Sequence, residues 1–206
     1  MTDTDRISTL GQLEALFGEV GEASRRKEVP ALHPLYRQWI EQSPFAILAT
    51  AGPGGLDVSP RGDPAPLVAV QDEHTLLLPE RRGNNRIDSL RNIVADPRVA
   101  LIFLIPGIGE TLRVNGRAYI STAQALLERF PIENKLPKCV IVIEVETVFF
   151  QCARAIQRSK LWLPRGEDVR ARVPTAGAIL EALTEASINA EQYDRELPDP
   201  QRATLY

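Results

Sequence analysis

The stretch FAILATAGPGGLDVSPRGDPAPLVAVQDEHTLLLPERRGNNR, residues 45–86, contains the strongest fold signals in the chain. Its apolar runs FAILAT and LDVSP flank the turn sequence GPGG at 52–55, and the runs LVAV (67–70) and TLLLP (75–79) flank the polar turn QDEH. Short apolar runs that are separated by Gly, Pro and polar turn residues are typical of β-hairpins. The stretch therefore predicts two hairpins.

The sequence that follows predicts one helix and three longer strands. Apolar residues recur at helical spacing over residues 84–94, and Asn84 or Asn85 can cap the start of this helix. The segments RVALIFLIP, TLRVNGRAYI and CVIVIEVETVFF predict strands, and AQALLERF predicts a short helix between the last two.

The two ends of the chain predict helices. Thr9 and Gln12 have the spacing of a capping box, which predicts a helix over residues 10–20, and a second short helix follows Pro34. Near the other end, AGAILEALTEA predicts a helix that precedes a polar, Pro-containing tail, RELPDPQRATLY.

The order of these elements favours a mainly β (α+β) fold, in which an antiparallel sheet closes into a small barrel with flanking helices. Strands that come as hairpins with few helices between them disfavour a parallel βαβ sheet. The chain also lacks GxGxxG and Walker-type GxxxxGK[ST] sequences. We expect a single domain over residues 1–206, with N-terminal helices at 1–43, the barrel core at 44–162 and a C-terminal helix and tail at 163–206.

Composition narrows the functional classes. The 206 residues include 24 Lys+Arg and 27 Asp+Glu, so the formal charge is −3 and nucleic acid is not an expected partner. Two cysteines form no disulfide framework or zinc motif, and we expect Cys152 to be a buried structural residue. The apolar runs are too short for a membrane span, and the N-terminus does not resemble a signal peptide. We therefore expect a soluble, cytoplasmic protein without membrane or metal binding.

A cationic cluster marks the candidate site. Arg61, Arg81, Arg82 and Arg86 all fall at strand ends or at the start of the predicted helix, where Arg86 is expected in the first turn. Helix starts present unpaired N–H groups and the positive end of the dipole, which attract anions. If the hairpins pair, these residues converge on a phosphate site. The alternative is that the arginines are solvated surface charges.

A set of motifs resembles the pyridoxamine 5'-phosphate oxidase-like family, in particular a bacterial subgroup of uncharacterised members. The resemblance spans about residues 45–162, and its motifs are SPRGD, GNNR, DSLRN, ADPRV, LRVNGRA and FFQCARAIQRSKLW. It implies a split β-barrel homodimer that binds FMN at the subunit interface. Gln151 and Arg154 stand where His and Lys are common in the subgroup, and the C-terminal Trp and Arg motif of the vitamin B6 oxidases has no match.

The resemblance also implies site residues. Those beside the flavin ring are Ser59, Arg61, Gly62, Asp63 and Pro79. Those that hold the phosphate are Asn84, Asn85 and Arg86, with Arg82 close by. Those that approach a cofactor from another face or from the partner subunit are Arg113, Arg154, Ser159 and Trp162.

The function expected from the resemblance is that of an FMN-dependent oxidoreductase that acts on a small-molecule substrate or electron donor. We assign no catalytic residue, because hydride transfer to flavin requires no side-chain acid or base and neither His33 nor His74 is part of a triad pattern. One alternative is an FMN-binding carrier or redox-sensing protein without turnover. Another is a split barrel that binds haem or a deazaflavin.

Overall fold

The computed structural model describes residues 5–164, 166–203 and 205. Its strands are β1 (Phe45–Gly52), β2 (Gly55–Gly62), β3 (Ala69–Val70), β4 (Thr75–Pro79), β5 (Arg98–Leu104), β6 (Thr111–Ser121) and β7 (Val140–Gln151). They form one seven-stranded sheet in the order β2-β1-β5-β6-β7-β4-β3, in which every pairing is antiparallel. The predicted mainly β (α+β) split barrel is confirmed, and the sheet lies within the predicted core.

Both predicted hairpins are present. The first joins β1 and β2 through a tight turn in which Gly52 faces Gly55, whose φ of 109° favours glycine. The second is shorter than predicted, because β3 contains two residues and Leu67 and Val68 precede it. Both of these side chains are buried in the core, so their apolar character reflects tertiary packing rather than strand pairing.

The main core lies on one face of the sheet, and a smaller apolar cluster around Leu77, Val140 and Val142 lies on the other face. In β5, Val99, Leu101 and Phe103 are buried at every second position, as expected for a strand with one face in the core. In β7, Glu144 and Glu146 are exposed on the other face. This alternation accounts for the sequence pattern that identified the long strands.

The described helices flank the sheet. They are α1 (Leu10–Glu14), α2 (Glu22–Arg26), α3 (Pro34–Glu41), α4 (Asp88–Ala95), α5 (Gln124–Leu127), α6 (Arg154–Ser159), α7 (Glu167–Arg172), α8 (Ala176–Leu183), α9 (Ala190–Glu196) and α10 (Pro198–Ala203). Helix α3 follows Pro34 as predicted and is capped by the Nδ1 atom of His33, which accepts a hydrogen bond from the Leu35 amide at 3.2 Å.

The first helix is shorter than predicted. The capping box of Thr9 and Gln12 is confirmed, but α1 ends at Glu14 rather than at residue 20. Its apolar residues are exposed, Leu10 by 75% and Phe17, beyond its end, by 69%. A short helix gains most of its stability from packing, and this one has no described neighbour to bury its apolar face.

The C-terminal region contains more helix than predicted. The predicted helix is present as α8, and its buried Gly177 donates a main-chain hydrogen bond to Asp194 Oδ1 at 2.8 Å, which joins α8 to α9. Much of the predicted tail forms α9 and α10, while its residues 204 and 206 lie outside the described residues.

Two further findings concern cysteine burial and membrane spans. Cys139 is buried and Cys152 is exposed, so the prediction that Cys152 is buried is wrong. It follows the end of β7, where the chain leaves the sheet. Within the described ranges, no helix has the length and apolar character needed to cross a membrane.

Candidate functional site

A cleft of about 560 Å³ lies where the two predicted hairpin ends meet. Its walls come from residues 57–62 of β2, from residues 78–90, which run from β4 into α4, and from Lys138 and Cys139 before β7. Because β4 pairs with β7, the end of β4 and residues 138–139 are brought to the same edge of the cleft. The volume is within the range of small-molecule sites, roughly 300–1,000 Å³.

Helix α4 is fixed against the first hairpin by buried polar contacts. Ser89 Oγ donates to Asp57 Oδ2 at 2.8 Å, and Asn92 Nδ2 donates to Thr50 Oγ1 at 3.1 Å. Gly52 permits this approach, since a Cβ atom there would lie 2.1 Å from the Asn92 Oδ1 atom. These contacts hold the first turn of α4 in the cleft wall.

The helix begins later than predicted. Asn84 and Asn85 do not cap it, and Arg86 is not in its first turn, because α4 starts at Asp88 with Ile87 at the N-cap position. Asn85 and Ile87 have φ values of 60° and 49°, which are left-handed and break the helical path. The Asn84 side chain instead accepts a hydrogen bond from the Arg86 amide at 3.1 Å, and the segment becomes a loop along the cleft.

The start of α4 lacks a side-chain cap. Ile87 offers no hydrogen-bond acceptor in its side chain, and residues 87–90 line the cleft. The first N–H groups of a helix have no intrahelical partner and carry the positive end of its dipole. The only acidic residue in the first turn is Asp88.

Three of the cleft arginines are paired with carboxylates. Arg81 Nε donates to Asp63 Oδ2 at 2.7 Å, and the Asp63 side chain is only 4% exposed. Arg86 Nε donates to Asp88 Oδ2 at 2.8 Å, but the Arg86 side chain is 77% exposed. The third pair joins Arg61 and Glu80 and is considered below.

Two cations of the cleft are left without a carboxylate. Within residues 5–164, 166–203 and 205, Arg82 forms no ion pair, and Lys138 Nζ has only a 3.5 Å hydrogen bond to Asn85 Oδ1. Both side chains are exposed at the cleft. The protein therefore presents positive charge here without a compensating acid, which suits an anionic ligand.

The Arg61–Glu80 pair lies at the cleft next to Cys139. Arg61 Nη2 and Glu80 Oε2 are 3.4 Å apart, and each side chain is 19% exposed. Burial raises the pKa of the Glu80 carboxyl, against the smaller opposing effect of Arg61. Burial also raises the pKa of the Cys139 thiol, and the charge of Glu80 adds to this increase. Cys139 is therefore a weak nucleophile.

The cleft brings together eight of the residues that the resemblance assigns to the cofactor. They are Ser59, Arg61, Gly62, Pro79, Arg82, Asn84, Asn85 and Arg86. Asp63 stands behind this lining, where it fixes the Arg81 guanidinium, which also donates to the Phe130 carbonyl oxygen at 2.8 Å. Lys138 was not predicted, since an isolated lysine between Pro137 and Cys139 carries no motif.

The other four predicted residues do not line the cleft. Arg113 lies over the Phe149 ring at 5.5 Å on the neighbouring strand. Arg154 and Ser159 are the first and last residues of α6. Trp162 Nε1 donates to the Ile108 carbonyl oxygen at 2.7 Å, so the chain after α6 is fastened to the connection between β5 and β6. Within one chain these four residues lie outside the cleft.

A second, smaller cavity adjoins the cleft. It measures about 290 Å³, and Ile132 and residues 135–137 form its outer wall. The residues that it shares with the cleft are Glu80, Arg81, Arg82, Asn85 and Lys138. No group of three or more His, Cys, Asp or Glu side chains suited to a metal is found in the described part of the chain.

An antiparallel split barrel with a cationic cleft between its hairpin ends and a helix start defines a small-molecule-binding class of protein. A family model described as pyridoxamine 5'-phosphate oxidase matches residues 32–152, which is more than half of the chain. The chain belongs to the pyridoxamine 5'-phosphate oxidase family. None of the curated proteins matches the chain.

One solved structure agrees with this fold, and a second is similar at a lower TM-score. HupZ from Group A Streptococcus is 20% identical with a TM-score of 0.50, and the match covers 59% of this chain and 94% of that one. An FMN-binding protein from Syntrophomonas wolfei is 10% identical with a TM-score of 0.42, and the match covers 55% of this chain and 82% of that one. At 20% identity the similarity to HupZ supports the fold alone.

Proposed function

We propose that the chain is an FMN-dependent oxidoreductase of the pyridoxamine 5'-phosphate oxidase type, which acts on a small-molecule substrate or electron donor. The observation that carries this proposal is the cleft with two uncompensated cations, Arg82 and Lys138, beside the uncapped start of α4. FMN combines a dianionic phosphate with a planar apolar ring, and the cleft offers both cationic and apolar walls. Family membership supports the same ligand class.

The residues divide the binding task by their chemistry. Arg82 and Lys138 attract the phosphate. Asn84, Asn85 and Arg86 lie in the loop that connects Arg82 to α4. The second group, from Ser59 to Gly62 together with Pro79, faces the ring, and Asp63 holds this wall in place through its bond to Arg81. Bound FMN would supply the hydride-accepting chemistry. The protein's part is to bind, orient and shield it.

We also propose that the active species is a homodimer with the cofactor at the subunit interface. The cleft is lined by β2, an edge strand on which Leu56 and Val58 are 87% and 64% exposed. Exposed apolar residues on an edge strand are typical of interaction surfaces. The four predicted residues outside the cleft, Arg113, Arg154, Ser159 and Trp162, are then available to a partner's cofactor. A sedimentation mass of one chain in the presence of FMN would refute this arrangement.

An absorption spectrum of the purified protein tests the cofactor, and reduction tests the activity. We expect a flavin spectrum that is bleached by NADH or NADPH and recovers in air. A flavin spectrum that neither nucleotide bleaches would favour a carrier or redox sensor without turnover. A haem or deazaflavin spectrum would overturn the FMN assignment. The cytoplasmic location stays a prediction from the sequence.

A further inference from the structure

The ion pair between Arg61 and Glu80 is an imperfect one for its buried position. The two groups approach to 3.4 Å, yet neither the Arg61 Nε atom nor the Glu80 Oε2 atom has a hydrogen-bond partner among the described residues, although both atoms are inaccessible to solvent. A buried ion pair offsets the loss of hydration only when its geometry and hydrogen bonds are good. This pair is therefore easily disturbed by a competing charge.

Among the described residues, Glu80 contacts one cation, Arg61, and shares its cleft with several other charged groups. Arg61 faces it from β2, and from the segment before β7 the Cys139 carbonyl oxygen accepts a hydrogen bond from the Glu80 amide at 3.0 Å. The charged and titratable groups that share its cleft or the adjoining cavity are Asp57, Arg61, Arg81, Arg82, Arg86, Asp88, Lys135, Lys138 and Cys139. Asp63 neutralises Arg81 from behind. Arg61 is therefore the cation in contact with Glu80, and it lines the cleft that an anionic ligand would occupy.

We propose that binding of an anionic ligand in this cleft is coupled to the uptake of one proton by Glu80. The inference rests on the proposed function, because FMN is the ligand it concerns. A phosphate or an electron-rich ring edge draws Arg61 away from the carboxylate and neutralises the charges of Arg82 and Lys138. The ligand also excludes water from the cleft. All three effects disfavour the ionised carboxyl group, so the carboxylate takes a proton from the buffer.

The direction of the pH dependence follows from the free protein. Burial already raises the pKa of Glu80 above its usual value, and ligand binding raises it further. Between the free and the bound pKa the complex holds one more proton than the free protein. FMN affinity should therefore increase as the pH falls through the bound pKa and should level off below the free one. The slope in this window is at most about tenfold per pH unit, as linkage requires for one proton.

Calorimetric titration with FMN measures this proton directly. The binding enthalpy is compared in two buffers of different ionisation enthalpy for the wild-type protein, for Glu80→Gln and for Glu146→Gln. The last variant is a matched control, because Glu146 is exposed on β7 and does not line the cleft. The phosphate of FMN also titrates, with a second pKa of about 6, but its contribution is common to all three proteins.

On FMN binding we expect the wild-type protein and Glu146→Gln to take up more protons than Glu80→Gln, by as much as one proton. Equal proton numbers in all three would overturn the coupling and leave the proposed function standing. Absence of FMN binding to the wild-type protein would contradict both. If Glu80→Gln does not fold, infrared difference spectra of the wild-type protein labelled with ¹³C-glutamate provide a second measurement. A carboxylic acid band that appears on FMN addition supports the proposal, and its absence refutes it.

Discussion

Removal of both uncompensated cations is the sharpest test of the phosphate site. In Arg82→Ala/Lys138→Ala no carboxylate loses an ion-pair partner, because neither cation has one among the described residues. The change in affinity therefore reports the ligand contact and not a new unpaired acid inside the protein. A hydrogen bond to a charged group contributes about 1.5–3 kcal/mol. Each cation that contacts the phosphate should thus account for a roughly ten- to hundredfold change in Kd.

The assay is calorimetric titration with FMN and, in parallel, with riboflavin, which has the same ring and lacks the phosphate. We expect the double variant to lose FMN affinity while riboflavin affinity changes little. Arg37→Ala is a matched control, since this exposed arginine pairs with Glu41 on α3 and does not line the cleft. If the ratio of FMN to riboflavin affinity is the same in the double variant and the wild-type protein, the phosphate does not lie between these cations.

Three further changes probe the site and the fold. Arg86→Ala should weaken FMN binding by less than the double variant, because the exposed guanidinium of Arg86 is bonded to Asp88. A larger loss of FMN affinity on titration would show that Arg86 leaves Asp88 for the ligand. Gly116→Ala should lower the free energy of unfolding by about 3 kcal/mol, since a Cβ atom there would lie 2.0 Å from a main-chain oxygen of β7, and urea denaturation measures it. Arg98 lowers the pKa of Asp96 from 3.8 to about 2, so this ion pair stabilises the fold above pH 3.8, and the stabilisation is lost as the pH falls towards 2. In Asp96→Asn the free energy of unfolding should therefore depend less on pH in that interval. The same pH dependence in the variant and the wild-type protein would contradict the assignment.

Much of the sheet could be predicted because its signals are local. The turn at residues 52–55 and the alternation in β5 and β7 depend on neighbours within a few positions, and the structure has these strands where the patterns indicate. The start of α4 could not be predicted in the same way. Two asparagines before an amphipathic run are good caps, yet the left-handed conformations of Asn85 and Ile87 delay the helix to Asp88.

The residues of the candidate site likewise divide into those that the sequence predicted and those that only the structure identified. Arg61, Arg82 and the GNNR loop were found because they belong to a compact motif, whereas Lys138 lies more than fifty positions after Arg86. It reaches the cleft because β7 pairs on one side with β6 and on the other with β4, which is remote from it in sequence. The pairing of Arg61 with Glu80 likewise depends on how the segments pack.

Local sequence thus specified the hairpins, the long strands and the motif that names the family, because turn chemistry and side-chain alternation act between near neighbours. Which cations remain uncompensated and which carboxyl group is buried beside Arg61 became known only from the folded chain. Charge compensation and desolvation depend on distances between side chains that are remote in sequence, and these distances are set by strand order and helix packing.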